Sequence, residues 1–439
     1  MSDDALTLSG QSFVLGSQHA LAAVGGIIAA PLIIAMGMGL SASQTSYLIS
    51  AALVISGLAT VLQIVRIGPL GSGLLSIQGT SFAFVGPLIF LYHELLQTHS
   101  SHDALGVLFG SALVCALLMI VLTTFVKTLR QLITSNVSGL TLVLIGGSLM
   151  ETTARSLYET YGSATAPGQM LLVCGITLGT LLGLALSPWT RLRIIAILAS
   201  LVVGTLAASW FGWVDFSSIA APSDIFLPSL MPFGFGVDWM VVLILFPIFL
   251  VSATESIGDL TATNALSGHP YGDAPYWQRI RGGLMGDAVN SGLASVFGTF
   301  PNTTFSQNNG LIRLSGESRP TIGLYAALLL CLLGLMPVLA DAIQLIPTPV
   351  ISTVTFILFG LVAWAGLQVF RGNARSWRDG LIFSGGLVGG YWVAEFVEAW
   401  TFLPALLIQV LAFPVSTGAF IGLLLEALLP GRGRVSDPR

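Results

Sequence analysis

Between Phe13 and Met38 the chain carries no Asp, Glu, Lys or Arg, and predominantly apolar runs of this kind recur to its other end. A run of about 20 apolar residues is enough to cross the hydrocarbon layer of a bilayer as a helix. Dividing the sequence at its charges and Gly/Pro clusters yields about fourteen segments: 13–38, 44–65, 73–92, 104–126, 131–150, 168–187 and 192–212, then 238–258, 282–299, 301–316, 320–341, 348–370, 379–397 and 402–428. Only 8% of the 439 residues are charged, where a soluble domain carries about 25%. Such a chain cannot cover a water-facing surface, and the fold class it implies is an all-α polytopic membrane protein.

The charge that remains sets an orientation. With fourteen spans and both termini inside, the loops after even-numbered spans hold Arg66, Lys127, Arg130, Arg191, Arg193, Arg279, Arg281, Arg313, Arg319, Arg371, Arg375 and Arg378, with Arg432, Arg434 and Arg439 in the tail. That places fifteen of sixteen basic residues on one side, Arg155 being the exception, as the positive-inside rule requires. A count wrong by one span would scatter them. No basic run exists to neutralise a nucleic-acid backbone, so nucleic acid is not an expected partner; the lipid bilayer is. Cys115, Cys174 and Cys331 stand singly in apolar runs, with neither metal nor disulfide spacing. Residues 1–12 lack the positive region of a cleaved signal, so the first span is expected to stay. The short tail after Leu429 leaves no room for a soluble regulatory domain, and none is expected at either end.

Two segments are poor simple helices and resemble one another. Residues 79–84 read GTSFAF and residues 302–307 read NTTFSQ; Thr80 aligns with Thr303, Ser81 with Thr304 and Phe82 with Phe305, at an offset of 223 that also carries the first span onto the eighth. Seven spans per half is odd, so the halves insert with opposite orientation, the arrangement of an inverted-repeat transporter. Each segment is read as a short extended stretch leading into a half-helix, since irregular backbone at membrane depth must be buried in protein or line a wet cavity. The two are expected to meet antiparallel near the midplane.

Ionisable side chains at that depth cost roughly 2.5–3.5 kcal/mol each on insertion scales and are functional candidates by default. They are Glu255, Asp259, Asp287 and His19. Glu255 and Asp259 are four apart and share a helix face. Carboxylates that close repel, so the pair is expected to retain a proton near neutral pH, which could be taken up on one side of the membrane and released on the other. The bland alternative is a helix-end pair solvated by the loop near Gly268, a better account of Asp259 than of Glu255. Asp287, in GGLMGDAVN, fits either a structural hydrogen-bonding role or a proton-linked one. His19 reads as a buried hydrogen-bonding partner or as a ligand. Gln307, Asn308 and Asn309 form an amide cluster whose adjacent donor and acceptor suit the edge of a planar lactam or heterocycle, and Phe82 and Phe305 offer it flat apolar surface. Two carboxylates in a membrane also admit an intramembrane hydrolase, but Ser-Ile-Gly-Asp at 256–259 lacks a preceding Gly and a second Asp in suitable context.

Four stretches together resemble the nucleobase–ascorbate transporter family, the group of bacterial uracil and xanthine permeases: Gln18-His19, GSGLLSIQGTSFAF at 71–84, ATESIGD at 253–259 and FPNTTFSQNNGLIRLSG at 300–316. Gln307, Asn308, Gly310 and Gly316 match the family signature, while Ser315 stands where Thr is usual. The resemblance implies fourteen spans as two inverted seven-span repeats, with short strands in segments 3 and 10. It further implies a core domain (1–127 and 237–345) working against a gate domain (128–236 and 346–430) in an elevator-like movement, with a cytoplasmic tail at 431–439, a bacterial inner-membrane location and a homodimer. By position it makes Glu255, Gln307, Phe82, Phe305 and Ser306 substrate-binding, and Asp259, Asp287, His19 and Asn308 supporting or proton-coupling. The expected activity is symport of an oxidised purine, xanthine or uric acid, with a proton, without catalytic residue, metal or cofactor. Gln307 where uracil permeases carry Glu resembles the xanthine and uric acid branch. Uracil, or an inorganic anion carried by a related fold, is the alternative cargo.

Overall fold

In the computed structural model the described residues are 10–429, apart from 126–133, 165, 215–224, 271, 306, 337, 339–341, 343–344, 374–375, 401, 404–407, 409–410 and 413. They form fourteen α-helices and two short strands. The first half contains α1 (Gly10–Gly37), α2 (Ala42–Val65), β1 (Gln78–Thr80), α3 (Val85–Leu95), α4 (Ser101–Leu122), α5 (Ser135–Ser163), α6 (Pro167–Ala185) and α7 (Thr190–Trp210). The second contains α8 (Trp239–Leu266), α9 (Ala274–Val296), β2 (Asn302–Thr304), α10 (Gln307–Ser315), α11 (Pro320–Gly334), α12 (Thr348–Asn373), α13 (Trp377–Phe396) and α14 (Pro414–Leu428). Each of the fourteen predicted segments overlaps one of these helices, and six of the helices are long and apolar enough to cross a bilayer unaided.

The two irregular segments pair as expected. β1 and β2 run antiparallel in the register Gln78↔Thr304, Gly79↔Thr303 and Thr80↔Asn302. The ladder continues at both ends, where the Phe305 N–H donates to the Ile77 carbonyl and the Ser81 N–H to the Pro301 carbonyl, each at 3.0 Å. Extended backbone inside a membrane protein is viable only with its polar groups satisfied this way. Strand β1 passes through a 3₁₀ turn (Phe82–Phe84), capped by Ser81 Oγ accepting from the Ala83 N–H at 3.3 Å, into α3; β2 leads into α10.

Helix ends depart from the hydropathy windows where polar residues continue a helix. α5 runs thirteen residues past the predicted end at 150, carrying Glu151, Arg155 and Glu159 at successive i,i+4 positions. At 29 residues it exceeds the length needed to span, and Arg155 lies in that extension. α8 continues eight residues past the predicted 258, so Asp259 lies within the helix and not at its end.

The chain divides into two compact units, 1–124 with 153–355 and 125–152 with 356–439. In the first, α2 packs on α11, α4 on α9, α1 on α2 and α11, and α6 on α7, with the strand ladder among α1, α2, α8 and α9. Its apolar core includes Val24, Ile27, Ile49, Leu53, Ile77, Phe305 and Leu330. In the second, α13 and α14 meet through Gly386, Gly390 and Gly418, where a Cβ at Gly390 would lie 2.8 Å from the Pro414 carbonyl oxygen. An ion pair is buried there: Arg378 Nη1 lies 2.9 Å from Glu426 Oε1, with both side chains less than 10% exposed.

Candidate functional site

The site is built where α8 lies along β2 and α10. Ser256 Oγ and Thr303 Oγ1 are 3.0 Å apart, and Thr304 Oγ1 donates to Asp259 Oδ2 at 3.3 Å. Thr263 Oγ1 donates to Asn309 Oδ1 at 2.6 Å, while Asn309 Nδ2 donates to the Asp259 carbonyl at 3.3 Å. Ser256, Asp259 and Thr263 follow the three- and four-residue spacing of one helix face, so α8 is zipped to the second strand by its polar stripe. Glu255, one turn before Asp259, is half-buried, as is Asp259 itself.

Asp287 enters from α9, 7% exposed. It receives Gln63 Nε2 at 3.4 Å from α2, and the Ser256 and Gln78 side chains lie beside it. Glu255 acts electrostatically on both aspartates, and Asp287 acts on Asp259. Three carboxylates from two helices therefore converge on the strand ladder. His19 of α1 is 2% exposed and faces Asn308, whose Nδ2 donates to the Leu75 carbonyl. Among the described residues, His19 Nδ1, Asn308 Oδ1, Asp287 Oδ2, Gln63 Oε1, Thr80 Oγ1 and both polar atoms of Gln78 lack hydrogen-bond partners. Buried polar atoms left this way cost free energy. Three of these atoms lie on the first strand and the others on four helices, polar capacity of the kind that handles polar cargo or protons.

The sequence candidates separate on this frame. Glu255, Asp259 and Asp287 come together, and His19 joins Asn308. Phe82 opens the turn after β1, half-buried. The Phe305 ring is 6% exposed and sits in the apolar core with α1 residues, in the space a side chain on Gly79 or Gly26 would need. Gln307 begins α10, but its side chain, like the whole of Ser306, lies outside the described residues. Sequence reasoning missed Gln63, Gln78, Ser256 and Thr304 as contributors; Gln63 and Gln78 are amides at membrane depth, where a search confined to ionisable groups passes over them.

A Cβ at Gly79 would stand 2.6 Å from Phe305 Cζ and 2.7 Å from Ile27 Cγ1. Overpacking of this kind costs about 1–3 kcal/mol. Gly79→Ala is therefore expected to lower the melting temperature of the detergent-solubilised protein, and an unchanged temperature would show that the ring can withdraw from the ladder.

Fourteen helices, two of them entered from paired strands, and an acid cluster on that pairing define a multi-pass membrane permease with inverted repeats. Comparison with known proteins agrees. The xanthine/uracil permease model, described as "Permease family", matches residues 10–396. Xanthine permease XanP of Escherichia coli strain K12 is 32% identical over 428 residues, covering 96% of this chain and 92% of its own. Xanthine permease XanQ of the same strain is 33% identical over 431 residues, covering 96% and 91%. In fold, the chain is similar to the transmembrane domain of the cyanobacterial bicarbonate transporter BicA (TM-score 0.60, 15% identity, 94% of this chain and 97% of that one). It is also similar to SLC26A9 (TM-score 0.62, 11% identity, 94% and 65%). The chain belongs to the nucleobase–ascorbate transporter family, and is a permease rather than an enzyme.

Proposed function

We propose that the protein imports an oxidised purine, xanthine or uric acid, by symport with a proton. The observation that carries this reading is the convergence of Glu255, Asp259 and Asp287 on the β1–β2 ladder, at the mouth of the helix that Gln307 opens. A purine dione presents N–H donors and carbonyl acceptors along one edge. Glu255 accepts from its N–H groups, the Gln307 amide pairs donor with acceptor, and Phe82 borders the ring. Phe305 supports the site from behind through its core packing. A carboxylate-lined site accepts from N–H donors, which a purine dione has and sulfate lacks. The two Escherichia coli relatives, named for xanthine, support the same cargo.

Protonation within the acid cluster removes the repulsion among three carboxylates and favours the loaded carrier. The core (1–127 and 237–345) then moves past the gate (128–236 and 346–430) and delivers base and proton together. The working protein in this reading is a homodimer in the bacterial inner membrane with both termini cytoplasmic. Labelled xanthine uptake into proteoliposomes is expected to rise severalfold with an inward proton gradient and to be competed by urate more strongly than by uracil or sulfate. Uptake indifferent to the gradient would end the coupling reading; stronger competition by uracil or sulfate would change the cargo.

A further inference from the structure

Gln63 has no place in the mechanism above, yet it is fully buried, with its side-chain nitrogen and its backbone carbonyl both held. Its Nε2 donates to Asp287 Oδ1 at 3.4 Å and to the Gly283 carbonyl at 3.3 Å, joining α2 to α9. Its own carbonyl accepts from the N–H groups of Ser72 and Gly73 at 2.9 and 3.1 Å, so the turn after α2 folds back to lock its backbone. Gly71, at φ +86°, makes that turn possible and donates to the Gly282 carbonyl at 2.8 Å. The space beside Gln63 Oε1 is kept by Gly286, where any Cβ would collide with that oxygen. Gln63 and Asp287 are 224 residues apart, the same separation as Gly79 and Thr303 at the centre of the strand ladder. They come from opposite halves of the chain and meet with a neutral amide on one side and an acid on the other.

We propose that Gln63 is a positioning residue for proton coupling, holding Asp287 Oδ1 so that Oδ2 is turned toward the acid cluster as the atom that takes and releases the proton. The inference rests on the proton-symport reading. An amide N–H donated to a carboxylate favours its ionised form. Oδ2, without a partner among the described residues, is left to bind the incoming proton, which makes the group neutral and removes its repulsion with Glu255. The charged groups acting on Asp287 are Glu255 and Asp259, both on α8; Gln63 of α2 and Gln78 of β1 meet it as neutral amides. Loss of the Gln63 donor leaves Asp287 Oδ1 without the group that positions it, and proton release to the cytoplasm becomes slower.

The test compares wild type with Gln63→Met, which keeps length and loses the amide, in two measurements: xanthine affinity of the solubilised protein at acid pH, and the pH profile of uptake in proteoliposomes. The expected result is affinity within threefold of wild type, a midpoint of uptake moved up by about one pH unit, and a lower maximal rate. Gln63→Glu, which sets a second carboxyl against Asp287, is expected to move the midpoint the same way and further. A profile that neither variant moves overturns the proposal, as does failure of both variants to accumulate in the membrane, which would make Gln63 a packing residue. Wild-type protein lacking any proton-dependent uptake would instead defeat the symport reading itself, so the two failures are distinguishable.

Discussion

In proteoliposomes, Glu255→Ala is expected to abolish measurable xanthine uptake while leaving the protein in the membrane. A hydrogen bond to a charged group contributes about 1.5–3 kcal/mol net, so losing the carboxylate alone weakens binding roughly ten- to hundredfold. The alanine also removes one of three mutually repelling acids, so the proton-dependent step loses a partner together with the binding step. Glu255→Gln separates the two effects. The amide keeps an acceptor for the base and cannot change charge, so residual binding with little response to the proton gradient is expected. An active Glu255→Ala protein of unchanged affinity would remove Glu255 from the site. No folding collapse is expected, because Glu255 is half-buried and its neighbours on the ladder are held by Ser256, Asp259 and Thr263.

The largest loss of stability is expected outside the candidate site, at Arg378. Its guanidinium gives Nη1 to Glu426 Oε1 at 2.9 Å, Nη2 to the Glu426 carbonyl at 2.7 Å and Nε to the Leu429 carbonyl at 3.2 Å. Thr134 Oγ1 donates to Glu426 Oε2 at 3.0 Å, so the cluster ties the entry of α5 to α13 and α14. Removing one partner of a buried ion pair costs about 3–5 kcal/mol, because the other charge is left without compensation. Arg378→Ala and Glu426→Ala should each lower the melting temperature strongly, and the double variant should be less unstable than the sum of the two. Arg378→Lys should recover little, since an ammonium cannot reach three acceptors in the guanidinium's planar geometry. Equal melting temperatures for wild type and Arg378→Ala would show the pair to be solvated.

Much of this protein was legible in one dimension. Fourteen segments follow from apolar length and are checked by the placement of fifteen basic residues. The broken third and tenth spans follow from Thr, Ser and Phe ahead of Gly, Pro and Asn, residues that form strands and turns rather than mid-span helix. Glu255 and Asp259 were visible because a carboxylate in an apolar helix is costly wherever the helix packs. Each of these signals is local, needing only the residue and its near neighbours.

What the tertiary structure decided is which faces meet. In a soluble helix the buried side is marked by an apolar stripe, but here lipid and protein core are both apolar, and a span such as α4 is hydrophobic on all sides. The sequence therefore could not show that Asp287 lands beside Glu255 and Asp259, that Gln63 of α2 is its partner, or that the Phe305 ring turns into the core with α1. Nor could it choose between a structural and a site-linked Asp287, because that choice depends on a neighbour 224 residues away. The acids were determined by their cost in the membrane; their assembly into one cluster was determined by an antiparallel ladder that closes only when the two halves fold together.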